Sequence, residues 1–462
     1  MKKALSFFTT IVLSLSLVAC GSTGSSGNSS DAVNGENTVE AGSNKSASGE
    51  SDTDVYVDIW GVWGQDDVRS QFFQEKADEY AKQYEEETGN SLKIEYVTQG
   101  GYDGVAEKLT AGSVSQELPV IGQIEESFLQ QFYPIATDLS GYMDKEVIDN
   151  YLDGLMVSAY HDDTLYAVPG GRSYAVLYAN KKLVEEAGHT VDEIKTWDDL
   201  REVAKDIAAL GEEKEGYGIN WDSDAWHWES AVYSDGGNIT NEDGTKVTFA
   251  DNGVGAIHLQ LMQDMMKEGS AYSAYGQSTD AFTVYTQMFL EGNLGMFCSS
   301  CTSYESLRSM MEEEGYTNVE VCVLDQPAGE AGNSVVTGGS NFIVCNKATE
   351  AQKKAAAGFL EYLASDENQA KWNEVSGYLA VTESVYDSEY FEENRKDSNL
   401  VQIAEGVKYA HQRPQTKHWR EMYTYIVDCL QNFSINPDNY NCTEMVDEMA
   451  EYCQKIIDNG AQ

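Results

Sequence analysis

The chain has 462 residues, more than one ordinary core requires and suited to two lobes of roughly 200 residues each. Hydrophobic residues make up 41% of the sequence and aromatic residues 11%, which is a globular composition rather than a disordered one. The 30 Lys and Arg against 77 Asp and Glu give a formal net charge of −47, and this charge argues against nucleic acid or an anionic membrane surface as partners of the folded part.

The first twenty residues have the features of an export signal that ends in a lipid-attachment site. Lys2 and Lys3 form a positive start, and residues 4–19 form an apolar stretch that is too short for a comfortable membrane span. The stretch runs into residues 17–21 (LVACG), which resemble a bacterial lipobox. We therefore predict a lipoprotein signal peptide over residues 1–20 and a diacylglycerol on the Cys20 thiol. The alternative is an ordinary cleaved signal peptide with an incidental cysteine.

Residues 21–54 are rich in Gly, Ser, Asn, Asp and Glu and contain no aromatic side chain. Such a segment cannot bury apolar surface, and it predicts a flexible tether that spans roughly 30 Å as a random coil. With the lipid, this tether would hold the folded body at the extracellular face of the cell membrane, anchored to the membrane rather than spanning it. No later stretch of sequence is long and apolar enough for a membrane helix.

The folded body begins with alternating strand and helix patterns. Residues 55–60 (VYVDIW) alternate like a strand, an apolar helical face runs from Val68 to Tyr84, and residues 92–96 alternate again. Strand, helix and strand with short connections predict a right-handed parallel unit. Further helix patterns, the first of them preceded by a capping-box sequence, lie at residues 196–207, 282–289, 355–363 and 445–456. We find no internal repeat, and the predicted class is α/β.

Two loop-like stretches supply the candidate ligand-binding rings. Trp63 follows the first strand, with Asp66 nearby, and Trp221 and Trp226 lie in residues 221–228 (WDSDAWHW). Sugar rings have apolar C–H faces and many hydroxyl groups, so a stacking ring beside a short carboxylate is suitable chemistry for them. Trp63 and Trp226 are favoured because polar neighbours flank them. The alternative for each ring is packing in a core.

The spacing of cysteines and histidines gives no sign of metal or nucleophilic chemistry. Setting Cys20 aside leaves seven cysteines, an odd number without a repeating frame, which argues against a disulfide scaffold. Cys298 and Cys301 form a lone C-x-x-C pair, and the sequence leaves open whether they form a disulfide. The chain has no H-E-x-x-H, G-x-S-x-G or G-x-x-x-x-G-K-[ST] motif. We therefore predict no catalytic residue, no metal and no cofactor.

Several runs of sequence resemble, in the same order, the motifs of one protein family. They are residues 166–188 (YAVPGGRSYAVLYANKKLVEEAG), 196–200 (TWDDL), 291–297 (EGNLGMF), 338–344 (GGSNFIV) and 367–381 (ENQAKWNEVSGYLAV). The order and spread of these runs over residues 55–430 are similar to those of the extracellular solute-binding proteins of ABC importers, in the branch that binds sugars, oligosaccharides or glycerol-3-phosphate. Two departures are Ala380, where the family often has proline, and the thiols of Cys298 and Cys301.

This resemblance implies the two-lobed fold of type II periplasmic binding proteins, in which α/β lobes close on a ligand held between them. It implies a first lobe of residues 55–171 with 321–366 and a second lobe of residues 172–320 with 367–462. The implied function is that of a monomer which captures a mono- or oligosaccharide and delivers it, unchanged, to the membrane permease of an ABC importer. A cleft suits capture, because contacts available only in the closed form shift the population toward closure.

The resemblance also adds ligand-binding positions, at loops that follow strands or at points where the chain crosses between lobes. These positions are Tyr102, Glu126, Arg172, Ser173, Ser300, Gly339, Tyr378 and Arg413. They join Trp63, Asp66, Trp221 and Trp226 in the predicted site.

Two alternative functions remain open from the sequence. Glycerol-3-phosphate or a related phosphodiester as the ligand would require Arg172, Arg413 or Arg420 in the cleft. A surface glycoside hydrolase is a function of another class, and it is disfavoured by the tether, by the family motifs and by the missing catalytic signature.

Overall fold

The computed structural model describes residues 54–211, 218–221, 225–276, 281–414 and 416–460. The predicted signal peptide, Cys20 and all of the predicted tether except Asp54 lie outside these residues. In the part of the chain that the structure describes, no helix is long and apolar enough to cross a membrane.

The strands of the described chain range from 2 to 13 residues in length. They are β1 Asp54–Gly61, β2 Ser91–Thr98, β3 Ile121–Glu125, β4 Tyr160–His161, β5 Thr164–Leu165, β6 Val168–Asn180, β7 Ile219–Asn220, β8 Ala271–Tyr272, β9 Met296–Ser300, β10 Val321–Asp325, β11 Val335–Val344 and β12 Ala410–His411.

The helices alternate with the strands along most of the chain, as the predicted α/β class requires. They are α1 Val68–Thr88, α2 Gly101–Ser115, α3 Lys145–Asp149, α4 Asp153–Met156, α5 Lys181–Glu186, α6 Trp197–Ala208, α7 Ala225–Ser234, α8 Val254–Lys267, α9 Ala281–Leu290, α10 Ser303–Glu314, α11 Glu350–Leu363, α12 Asp366–Ser376, α13 Ser398–Gly406, α14 Trp419–Ile435 and α15 Cys442–Gly460.

One continuous sheet path joins the two halves of the fold. Its strand order is β2-β1-β3-β11-β6-β9-β7-β8, with β10 beside β6 and β12 beside β11. Strands β1, β2 and β3 are parallel, as are β7, β8 and β9, whereas β11 and β6 are antiparallel to their neighbours in the path. The strand–helix–strand pattern at the start of the body therefore forms the parallel pair that the sequence predicts.

The long strand β6 crosses from one half of the sheet to the other. Its first part pairs with β11, and its second part, from Ala175 onward, pairs with β9 and β10. All 13 of its residues are buried, because the strand is a central strand in both halves. This double burial explains why its sequence is a nearly unbroken run of apolar and small residues.

We call the part built on β1, β2, β3 and the end of β11 the first lobe, and the part built on β7, β8, β9 and β10 the second lobe. The first lobe has one hydrophobic core, which includes Phe73 and Phe342. The second lobe has a core on each face of its sheet, one around Trp419 and the other around Phe297.

Two segments pack differently from the division that the sequence suggests. The segment from α12 to Tyr378 was assigned to the second lobe, yet Trp372 and Tyr378 belong to the core of the first lobe, with the Trp372 ring 5.0 Å from that of Phe73. Strand β10 was assigned to the first lobe, yet it pairs with β6 in the second, and Val323 packs in that lobe's core. In each case the apolar face of the segment determines which lobe it joins.

The stretch 221–228, expected to be loop-like, contains the first turn of helix α7. Nearly every side chain of α7 is buried, including the acid Glu229. A helix without a polar face shows no amphipathic repeat, and the sequence pattern therefore did not indicate it. By contrast, the capping box predicted before α6 is present, since Thr196 and Asp199 exchange side-chain to backbone hydrogen bonds.

Candidate functional site

A cavity of about 850 Å³ lies between the two lobes and opens to solvent. The first lobe contributes residues 67–69, at the start of α1, and residues 375–376, at the end of α12. The second lobe contributes mainly aromatic, hydroxyl and carboxyl side chains, and also a thioether: Trp226, His227, Tyr275, Phe282, Tyr285, Ser299, Ser300, Thr302, Ser303, Glu305, Ser306, Ser309, Met310 and Glu313.

Aromatic rings form one wall of the cavity. The Trp226 side chain is half-buried, and its indole N–H donates a hydrogen bond to the carbonyl oxygen of Val336 at 2.9 Å. Phe282 is 40% exposed and meets Tyr285 edge-on, with ring centroids 5.5 Å apart. Exposed ring faces held in fixed positions can stack against an apolar face of a ligand.

Hydroxyl groups form the neighbouring wall, where β9 ends and α10 begins. The Thr302 hydroxyl donates to Ser300 Oγ at 2.9 Å, and the hydroxyls of Ser299 and Ser303 lie 3.0 Å apart. Each hydroxyl both donates and accepts hydrogen bonds. This wall can therefore exchange hydrogen bonds with a ligand that carries many hydroxyls of its own.

The first lobe contributes an ion pair at the N-terminus of α1. Asp67 caps the helix by accepting from Arg69 N at 2.9 Å, and it accepts from Arg69 Nε at 2.7 Å. Burial opposes ionisation of Asp67, but the hydrogen bonds from Arg69 outweigh it, and the pKa of Asp67 is lowered. The Arg69 guanidinium also lies 5.3 Å from the Trp63 ring. The positive charge of Arg69 is thus neutralised before any ligand enters.

Three of the predicted site residues lie at or beside this cavity. Trp226 and Ser300 line it, and Asp66 is exposed one position before Asp67. Tyr102 is the second residue of α2 and is partly buried against the core of the first lobe. Desolvation raises the pKa of Tyr102 well above its usual value.

Trp63, Tyr378 and Trp221 lie in the cores, although each was predicted as a pocket residue. Trp63 and Tyr378 are 6% and 7% exposed, and the Tyr378 ring stacks on Trp372 at 5.5 Å. Trp221 is 3% exposed and stacks on Trp197, because it follows β7 into the interior of the second lobe. Polar residues flank Trp63 in the sequence, and this pattern suggested a pocket, but the Trp63 ring packs against Phe73 and Trp372.

Glu126, Arg172, Ser173 and Gly339 lie behind the cavity, at the strand crossing. Glu126 and Arg172 form an ion pair in which both side chains are fully buried. The Arg172 guanidinium also donates to Thr337 Oγ1 at 2.9 Å and to Asn341 Oδ1 at 3.2 Å. Ser173 is 5% exposed, and Gly339 has a φ of +102°, where a Cβ would meet the carbonyl oxygen of Gly171. These residues join the lobes rather than line the cavity.

Arg413 is also enclosed by protein groups. Its guanidinium donates to Glu229 at 2.6 and 3.2 Å and lies 3.5 Å from Glu125 across the lobes. It also lies 4.5 Å from the ring of Tyr423. Desolvation alone would lower the pKa of Arg413. The two carboxylates together have a larger effect and raise this pKa well above its usual value, so the guanidinium keeps its charge. Arg413 borders a second cavity, of about 750 Å³, on the second lobe.

The cavity is also lined by residues that were not predicted from the sequence, among them Asp67, Arg69, Phe282 and Tyr285. Asp67 and Arg69 directly follow a predicted strand and loop, and this position could have indicated that they belong to the site. Phe282 and Tyr285 fitted the apolar face of a helix, which favoured a core position over a cavity wall.

Among the described residues, no group of three His, Cys, Asp or Glu could hold a metal ion. Cys301 is a buried free cysteine, so Cys298 and Cys301 form no disulfide in the structure.

Comparisons with known sequences give the following relatives. A family profile described as "Bacterial extracellular solute-binding protein" matches residues 79–396. A binding protein of Brucella abortus is 25% identical over 363 residues, which are 77% of this chain and 84% of that protein. The sn-glycerol-3-phosphate-binding periplasmic protein UgpB of Escherichia coli is 28% identical over 244 residues, which are 50% of this chain and 53% of that protein.

Solved structures with a similar fold include two binding proteins. The cyclic α-maltosyl-1,6-maltose binding protein from Arthrobacter globiformis has a TM-score of 0.71 at 19% identity, over 87% of this chain and 99% of that one. UgpB from Mycobacterium tuberculosis, in complex with glycerophosphocholine, has a TM-score of 0.71 at 17% identity, over 90% of this chain and 100% of that one. These similarities confirm the predicted two-lobed fold.

Proposed function

The chain belongs to the family of bacterial extracellular solute-binding proteins, and we propose that it captures a neutral mono- or oligosaccharide and delivers it to the permease of an ABC importer. The observation that supports this ligand most directly is the pairing of an aromatic wall with a hydroxyl wall in one cavity between the lobes. Aromatic faces suit the C–H faces of sugar rings, and serine and threonine hydroxyls suit sugar hydroxyls. The maltose-related ligand named for the Arthrobacter protein is of this class.

A phosphorylated ligand is the second candidate, because two relatives bind glycerol-3-phosphate or glycerophosphocholine. A phosphate would require a guanidinium that can pair with two of its oxygens. Arg172 already pairs with Glu126, Arg413 with Glu229, and Arg420 with Asp103. Arg69, at the cavity, pairs with Asp67. A phosphate would have to displace a carboxylate from one of these arginines, and a neutral sugar would not.

A glycoside hydrolase would need two carboxyl groups at its reacting bond, one of them protonated. Asp67 binds Arg69, and Glu305 binds Arg308 at 2.9 Å, so two of the three carboxylates at the cavity are held by guanidinium groups. This arrangement supports binding without turnover. We also propose that the protein acts as a monomer.

The proposal places the protein on the extracellular face of the membrane, held by a lipid on Cys20. The lipobox sequence and the tether sequence of residues 21–54 support this anchor. The change Cys20→Ala should leave an unprocessed or unlipidated precursor, detected by metabolic labelling with palmitate. Release of wild-type protein into the medium with the same N-terminus as the variant would contradict the anchor.

A panel of neutral sugars and glycerol phosphates in a thermal-shift assay tests the proposed ligand class. A ligand present at a hundred times its dissociation constant stabilises the folded state by about 2.7 kcal/mol, which is readily measured. We expect one or more neutral sugars to raise the melting temperature and to be recovered unchanged after long incubation. Stabilisation by the glycerol phosphates alone, or steady hydrolysis of a bound oligosaccharide, would overturn the proposal.

A further inference from the structure

Two adjacent glycines lie at the strand crossing, and they meet different surroundings. Gly339 has a φ of +102°, which explains a glycine there by backbone conformation alone. Gly338 does not have a positive φ, so its backbone would accept alanine. The reason for a glycine at position 338 must therefore lie in the space around its Cα.

The space at Gly338 is filled by the indole of Trp226. A Cβ built on Gly338 would lie 3.1 Å from Trp226 Cζ2, 3.3 Å from Cε2 and 3.7 Å from Cη2. A Cβ in the plane of the ring could approach two bonded ring atoms this closely, but the third atom would then be much farther away. The three distances therefore mean that the Cβ would stand over the ring face. One face of the indole, near its Cζ2 atom, thus packs against the backbone of β11 at Gly338.

Hydrogen bonds hold the same ring and its helix to the same strand. The indole N–H donates to Val336 O at 2.9 Å, and Val336 N donates to Ser230 Oγ at 3.1 Å, one turn further along α7. Gly338 pairs with Ser173 of β6, so this part of β11 belongs to the crossing between the lobes. Both the edge and one face of the indole are fixed to that crossing before a ligand is bound.

From this geometry we infer that Gly338 is a positioning residue, which sets the plane of Trp226 so that its outer face is presented to a ligand in the cavity. The inference rests on the proposed function for its ligand, but the ring geometry itself requires none. A ring already fixed in the empty protein loses little freedom on binding, which favours affinity. Alanine at position 338 would press on one face while the N–H bond holds the edge, and the ring would tilt.

Fluorine NMR on protein containing 5-fluorotryptophan measures the tilt without any ligand. The eight tryptophans give eight resonances, and Trp226→Phe identifies that of Trp226. We expect Gly338→Ala to shift the Trp226 resonance. The matched control is Gly171→Ala, whose new Cβ would lie 3.2 Å from Trp372 and 3.3 Å from Trp63 but does not meet Trp226. It should leave the Trp226 resonance in place. An unmoved Trp226 resonance in Gly338→Ala overturns the inference.

Titration with maltotriose adds the functional readout through a double-variant cycle. In wild-type protein, Gly338→Ala should weaken binding by about two- to tenfold, less than the loss of the whole ring. In a Trp226→Ala background the same change should have no effect, because no ring remains to be tilted. Equal weakening in both backgrounds would contradict a role through Trp226. If the wild type does not bind maltotriose, that result contradicts the proposed ligand. The inference about Gly338 is then tested by the resonance shift.

If Gly338→Ala does not fold, the double variant Gly338→Ala/Trp226→Ala tests whether contact with the Trp226 indole is the cause. Removing the indole leaves room for the alanine methyl group, so the double variant should fold and melt as Trp226→Ala does. If the double variant also fails to fold, the new methyl group clashes with something other than Trp226, and the inference is wrong.

Discussion

At the scale of single residues, two tryptophans five positions apart have opposite surroundings. Trp221 is enclosed in the core of the second lobe, and Trp226 lines the cavity. The sequence favoured Trp226 because polar residues flank it, and it included Trp221 as another ring of the same loop-like stretch. Their different burial could not be predicted, because it depends on the start of α7 at Ala225, which the sequence pattern did not indicate.

His258 gives a prediction for stability against pH. It is 6% exposed, and its ring centroid lies 4.6 Å from those of both Trp197 and Trp221. Desolvation and the nearby His227 lower the pKa of His258 from 6.5 to about 3. Between these values the unfolded chain binds a proton that the folded protein does not. The unfolding free energy should therefore fall as pH drops below 6.5, by about 1.4 kcal/mol per pH unit from this residue.

Urea denaturation at pH 7, 6 and 5 measures this slope, and His258→Gln isolates the contribution of the residue. The variant should lose most of the slope between pH 6.5 and 5, whatever its stability at pH 7. His418→Gln is the control, because the His418 side chain is only partly buried, unlike that of His258. A slope that is unchanged in His258→Gln would mean that other groups determine the pH dependence.

At the scale of the elements, the crossing of β6 and β11 is built around buried charge. Arg172 of β6 reaches Glu126, which directly follows β3, and Thr337 of β11. The Thr337 hydroxyl also donates to Glu126 at 2.7 Å. Burying two charges is costly unless their hydrogen bonds are satisfied, and here three elements contribute to satisfying them. The pair therefore fixes how the strands of the two lobes meet.

Removing one partner of this ion pair should lower the unfolding free energy more than removing both partners. Arg172→Met leaves Glu126 buried without its cation, and we expect a loss of about 3–5 kcal/mol of unfolding free energy. The double variant Arg172→Met/Glu126→Gln should recover part of that loss. Urea denaturation measures both. The surface pair Arg308–Glu305 supplies the control, where Arg308→Ala should cost about 0–1 kcal/mol. If Arg172→Met loses as little unfolding free energy as Arg308→Ala, the buried pair does not stabilise the fold.

The sequence predicted elements well where one face of the element is polar. The capped helix α6, the first parallel unit and the closing helix α15 were all indicated by periodicity and caps. It failed for α7, which is buried nearly all round, and it assigned α12 to the wrong lobe. Periodicity shows that a face is apolar but does not show which core that face joins.

At the scale of the whole molecule, an ion pair joins the lobes away from the cavity. Arg420 of α14 donates to Asp103 of α2 at 2.7 Å and to Glu107 at 3.2 Å. All three side chains are partly exposed, so the contact is modest and sensitive to salt. It nonetheless connects helices of different lobes and favours the lobe arrangement described here.

Arg420→Ala should therefore change the separation of the lobes in the empty protein. Small-angle X-ray scattering at low salt should show a shifted distance distribution for the variant, and high salt should bring wild type and variant together. Arg201→Ala is the matched control, because Arg201 makes a similar two-bond pair with Glu268 inside the second lobe. It should leave the scattering curve unchanged. Identical curves for Arg420→Ala and wild type at low salt would rule out a role for this pair in lobe separation.

Titration calorimetry with the best sugar from the panel, at low and at high salt, tests the central claim most directly. Trp226→Ala should weaken binding at least tenfold, which is about 1.4 kcal/mol, because a stacking ring is lost from the cavity wall. Salt should change the wild-type affinity little, since a neutral ligand has no charge to screen. Unchanged affinity in Trp226→Ala, together with binding that weakens as salt is added, would contradict a neutral sugar and favour a phosphorylated ligand.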